Sequence, residues 1–188
     1  MLGAIHNLNI TLFGYICGTR IYLFMKSGTK LLVLFMLFAG FAYCNCQAKG
    51  FEKVNFYAAL KSGKMVEIDE QLELLTTTEI SEKGAYEGVL LMRKAGLAKI
   101  PAERLRLFKK GRIALETAIL NDKDNGEYRF LRLVIEEKAP KIVKYNHDLE
   151  ADKERIKRTF KNLPPVVQNA IIDYSKGSKI LSPQDFNL

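Results

Sequence analysis

A chain of 188 residues with 29 basic and 21 acidic side chains carries a formal charge of +8. That surplus is mild and mixed with acids along the sequence, which argues against a nucleic-acid surface, where cations segregate on one face and aromatics interleave for stacking. Two histidines and three cysteines leave little material for a His-rich zinc centre or a disulfide framework.

Met1–Phe24 is apolar but interrupted by Asn7, Asn9, Thr11 and Thr19, too broken for a spanning helix. Met25 opens a better-formed signal. Lys26 and Lys30 precede the uncharged thirteen-residue run Leu31–Tyr43, short against the roughly 20 apolar residues of a membrane span and suited to the core of a signal peptide. Cys46-Gln47-Ala48 supplies small residues at a cleavage site, so residues 25–48 read as a signal peptide and Lys49 as the mature N-terminus. Translation from Met25 makes residues 1–24 a start-site extension; a long signal n-region or a second membrane segment is the alternative. Acylation of Cys44 or Cys46 is the rival to release, although Phe41-Ala42-Tyr43 and Tyr43-Cys44-Asn45 put bulky or polar residues where small ones normally precede such a cysteine.

Removing 48 residues leaves 140, one domain's worth, numbered 49–188. The leader holds Arg20, Lys26 and Lys30 and no acid, which takes +8 down to +5 for the domain. Cys17, Cys44 and Cys46 all lie in the leader, so the expected mature domain is cysteine-free and rests on its apolar core. Lys99–Arg112 and Asp148–Lys161 read as solvated helix faces of mixed charge.

The domain reads as helices throughout. Val54, Phe56, Tyr57 and Leu60 form the first apolar patch, with Gly63 placed to stop it. Ile68, Leu72 and Leu75 follow, until Thr76–Thr78 interrupts them. Ala85, Val89 and Met92 restart the pattern and Gly96 closes it. Pro101 suits a first helical turn, and Leu105, Phe108, Leu115 and Ile119 then keep helical spacing, with Gly111 on the same stripe. Residues 121–126 form the clearest loop, and either Asp124 or Asn125 caps what comes next. Tyr128–Ile135, the most apolar stretch of the domain, alternates like a strand, but capping residues before it and Pro140 after it predict a central helix. Asp148 caps a helix with Leu149, Ile156, Phe160 and Leu163 on one face. Pro164-Pro165 breaks that helix, and Val167, Ala170, Ile171 and Tyr174 make the last stripe before a polar tail from Ser178 that docks or frays.

Leu115–Asn125, a helix with alanine on its packing face running into an acidic turn, resembles the end of a tetratricopeptide repeat. Gly111, Leu115 and Ala118 fall where that family places its small, large and small packing residues; Lys123 stands where it usually has proline, and no second copy follows at the repeat length. Ala85–Leu181 also resembles a family of small, uncharacterised exported bacterial proteins, which implies signal-peptide export and an all-helical domain. The expected fold is all-α: a single domain of six or seven helices packed as antiparallel hairpins, tetratricopeptide-like in part, behind a signal peptide.

The sequence carries no complete catalytic motif, although His147 could serve as one partner of a Ser-His-Asp set. His147 is the single histidine of the domain and falls in a loop, without a Gly-x-Ser-x-Gly elbow, a P-loop or a Gly-x-Gly-x-x-Gly to accompany it. No catalytic residue, metal ligand or cofactor is assigned. The polar constellation that stands out is Arg129, Arg132 and Glu136, on one stripe at spacings of three and four. Its guanidinium groups suit a carboxylate, a phosphate or an acidic peptide. The structural reading, which a long apolar helix carrying a few arginines favours, pairs Arg132 with Glu136 on its own helix and takes Arg129 to an acid such as Asp152. The functional expectation is an exported, periplasmic or extracellular protein-interaction module with a protein or peptide partner in the envelope, no nucleic acid, and membrane contact confined to the leader. A small envelope enzyme using Asp, Glu, Tyr and Lys chemistry is the alternative.

Overall fold

Glycine and proline punctuation sets several of the helix ends. The computed structural model describes residues 50–186, which belong to one compact unit, Lys49–Leu188. The two candidate starts, the run Leu31–Tyr43, the Ala48 site and all three cysteines lie outside the described residues. Among those residues there are seven α-helices and no strand: α1 (Lys53–Ser62), α2 (Met65–Thr77), α3 (Lys83–Leu97), α4 (Pro101–Asn121), α5 (Gly126–Lys138), α6 (Leu149–Thr159) and α7 (Pro165–Ser175). None of the described helices is long and apolar enough to cross a membrane.

Gly63 ends α1 at φ 64°, in the left-handed region, and its N–H donates to the Ala59 carbonyl at 3.0 Å. The three threonines end α2 by a different route. The hydroxyls of Thr76, Thr77 and Thr78 donate back to the carbonyls of Glu73, Leu74 and Leu74, competing with continuation of the helix. Pro101 and Pro165 each open a helix at its first turn. Asn125 is the cap of α5, its Oδ1 accepting the Tyr128 N–H at 3.1 Å. Tyr128–Ile135 is helical, as the capping residues and Pro140 predict, and it is the centre of the domain: Phe130, Leu131, Leu133, Val134 and Ile135 are all buried.

α3 and α4 pack as an antiparallel pair whose backbones nearly touch. A Cβ on Gly88 would sit 2.7 Å from the Gly111 carbonyl oxygen and 2.8 Å from the Leu115 nitrogen, and one on Gly111 would sit 2.8 Å from Met92 Cγ. This close approach fixes the rotation of α4. Its buried stripe is Leu107, Gly111, Leu115 and Ile119, and the expected stripe is wrong at one position: Leu105 points outward, 53% exposed, with Leu107 buried instead. Once Gly111 faces α3, Leu105 lies more than a quarter-turn away from the packed side. At the chain's end the tail docks, with Leu181 and Phe186 buried and the Phe186 ring 4.5 Å from that of Phe160.

Candidate functional site

The three stripe residues come together with α6, where their donors are mostly engaged. Asp152 has 0% exposure. Arg132 grips it with two hydrogen bonds, Nε and Nη2 each at 2.7 Å, and Arg129 Nη1 adds a third at 3.3 Å. The remaining Arg132 nitrogen, Nη1, lies 3.1 Å from Glu116 and 3.3 Å from Asp148, and Tyr145 donates its hydroxyl to Glu116 at 2.6 Å. Burial opposes the Arg132 charge, yet the hydrogen bonds and field of Asp152 hold its pKa above the ordinary guanidinium value. Asp148 stands at the α6 N-cap position without a side-chain cap bond, its carboxylate having turned to Arg132. Arg129 does reach Asp152, but the expected Arg132–Glu136 pair within α5 is replaced by this cross-helix grip. Glu136 accepts the Asp148 N–H at 3.2 Å instead.

Glu136 is the uncomfortable member, since its Oε1 is buried without a hydrogen-bond partner. Burial lifts its carboxyl from the ordinary 4.5 to about 7, against the pull of the Asp148 N–H and Arg132. The folded state therefore binds this proton more tightly than the unfolded chain does. The resulting stabilisation is full below 4.5 and is lost as pH rises to about 7. Glu136→Gln is expected to flatten that descent and to raise stability under mildly alkaline conditions by about 2 kcal/mol; urea melts across pH that stay parallel to the parent's would refute it.

A second buried carboxylate organises α1, α3 and α5. Glu127 accepts from Tyr86 Oη at 2.6 Å, Tyr57 Oη at 2.8 Å and Lys53 Nζ at 3.0 Å, and Lys53 also reaches Glu82 at 3.2 Å. Burial first, and then the Glu127 charge, push both phenols well above their ordinary range, so they stay protonated donors. Sequence reasoning missed this cluster. Lys53 and Tyr57 share a face of α1 at a spacing of four, but their partner lies about seventy residues on.

Tyr57 also lines an apolar cleft of about 520 Å³ between α1, α5 and α7. Val54 and Ala58 form one wall, Phe130 and Val134 the floor, and Ala170 and Tyr174 the other wall. Two lysines border it. Lys61 pairs with Asp173 across the cleft at 2.6 Å, and Lys138 lies 5.1 Å from the centre of the Tyr174 ring. Tyr174 is anchored by its hydroxyl, which donates to Glu137 at 2.8 Å. Arg129, Arg132 and Glu136 are not among the residues lining the cleft. Among the described residues no group of three or more His, Cys, Asp or Glu side chains is placed to hold a metal ion, and His147 is an exposed loop residue.

The arrangement thus offers an aromatic-lined apolar groove with cations at its lip, while the main buried acids serve as internal fasteners. No protein-family model, characterised protein or solved structure matches this chain.

Proposed function

We propose that this protein is a non-enzymatic binding module of the bacterial envelope, exported by its leader, which holds an apolar segment of a protein partner in the cleft between α1, α5 and α7. The observation that carries the reading is the cleft itself. Its volume and apolar walls suit one or two large side chains of a helix laid into a groove, the mode in which helical-hairpin domains of tetratricopeptide type receive their ligands. Lys138, whose ammonium is held over the Tyr174 ring, adds complementarity to an acidic residue on the same segment, while Lys61 is already matched by Asp173. The enzymatic alternative would draw on the Glu127 cluster, but all three donors there are already committed to carboxylates, Lys53 to both Glu127 and Glu82, which favours the binding reading.

A displayed library of helical peptides, selected against the protein, is expected to enrich sequences with large apolar residues at helical spacing beside an Asp or Glu. Filling the cleft by Ala58→Trp, at an exposed position, is expected to weaken the selected peptides about tenfold or more. Hits that bind this variant equally well would place the site elsewhere. Export has its own readout: intact mass of the released protein should correspond to a chain beginning at Lys49, and a species retaining Met1–Phe24 or a lipidated cysteine would contradict it.

A further inference from the structure

Lys99–Arg112 does not have the mixed charge its reading as a solvated face requires. Glu103 is its one acid, against Lys99, Arg104, Arg106, Lys109, Lys110 and Arg112. On α4 the residues Ala102, Leu105, Arg106, Lys109, Arg112 and Ile113 are all exposed, and their spacings return them to one outward stripe. Leu105 and Ile113 are 53% and 67% exposed, and Ile100, just before the helix, is 61% exposed. The face therefore alternates cations with protruding aliphatic side chains.

The fold spends few of these groups. Among the described residues neither Arg106 nor Lys109 forms an ion pair or side-chain hydrogen bond. Arg112 is held 4.8 Å from the centre of the Tyr145 ring, which steadies its charge without neutralising it. Lys110 is the exception, paired with Glu87 of α3 at 2.8 Å, and Arg104 donates to the Ala98 carbonyl. The next acid along the stripe, Glu116, is turned inward to Arg132 and Tyr145.

We infer that the outward face of α4 docks on an anionic lipid bilayer. Charge complementarity selects a negative surface, since basic groups near such a membrane add attraction one by one. The aliphatic side chains select a bilayer among negative surfaces: Ile100, Leu105 and Ile113 can enter the headgroup region while the long cationic stems keep their charges at the phosphates. A single-stranded nucleic acid would instead call for aromatic platforms between the cations. α4 is roughly 30 Å long, enough to lie along the surface for several headgroups. This face is separate from the peptide cleft, so the inference stands or falls independently, and it extends membrane contact beyond the leader.

The test is flotation of the full chain with phosphatidylcholine vesicles and with vesicles of phosphatidylcholine and phosphatidylglycerol at three to one. The readout is the difference between the two, in which apolar adsorption through the leader cancels; the attraction of the leader's Arg20, Lys26 and Lys30 for anionic lipid is the same in the parent and in every α4 variant, so the comparison among them isolates α4. Stronger binding to the anionic vesicles is expected, falling by about tenfold or more in Arg106→Glu/Lys109→Glu and severalfold in Leu105→Ser/Ile113→Ser, with helical melting curves like the parent's. Equal binding to both vesicles, or an undiminished charge-reversal variant, would overturn the inference. Charge-dependent binding that ignores Leu105→Ser/Ile113→Ser would overturn it too, by assigning the face to an acidic macromolecule.

Discussion

Asp152→Ala is expected to lower the stability of the domain by about 3–5 kcal/mol, the usual cost of removing one partner from a buried ion pair. The loss comes less from the missing bonds than from what remains. Arg132 keeps its charge, is nearly fully buried, and would retain only Glu116 and Asp148. Asp152→Asn keeps an acceptor oxygen and should cost less. Replacing the pair together, Arg132→Met with Asp152→Leu, is expected to recover much of the loss, because apolar side chains do not need the compensation that two buried charges do. Urea midpoints on the three variants measure this directly. If the double variant were no more stable than Asp152→Ala, the grip between α5 and α6 would be providing more than mutual neutralisation.

Leu131→Ala should be comparably severe, at about 2–5 kcal/mol, because it empties a fully buried site on the central helix. Its companion measurement is His147→Ala. An exposed loop residue away from any special feature should shift stability by no more than about 0.5 kcal/mol. A larger loss at His147 than at Leu131 would move the centre of the domain away from α5.

What could be read from the sequence was whatever is written locally. Gly63, Pro101, Asn125, Pro140 and Pro165 act on the backbone within a few residues of themselves, and each marks a helix end in the structure. The apolar crowding of Tyr128–Ile135 likewise announced a central helix. Leu105 was misplaced because spacing alone does not fix the rotation of a helix; the Gly88–Gly111 approach does, and it depends on two helices at once. Arg132 was offered Glu136 by proximity in sequence, but Asp152 presents two oxygens to its fork from across the core. The Glu127 cluster and the cleft each draw on three helices, so no single stretch carries their signature. The reading of Lys99–Arg112 as a face of mixed charge was wrong on composition alone, since Glu103 is its one acid, and the outward turn of Leu105 and Ile113, set by the packing of α4 on α3, then adds the aliphatic half of the stripe.

The cleft has walls taken from opposite ends of the domain, and this bears on the order in which the molecule assembles. Lys61 and Asp173, which meet across it, are 112 positions apart in the chain, whereas Glu87 and Lys110, which join α3 to α4, are 23 apart. Short loops close at less entropic cost than long ones, so the α3–α4 pair can form early and the approach of α1 to α7 comes late. By the same reasoning the contact between those two helices is expected to open first, which native-state hydrogen exchange would register as the weakest protection among the packed helices. A partner seated between them would act as a clasp on that contact, and its occupancy is then expected to slow unfolding.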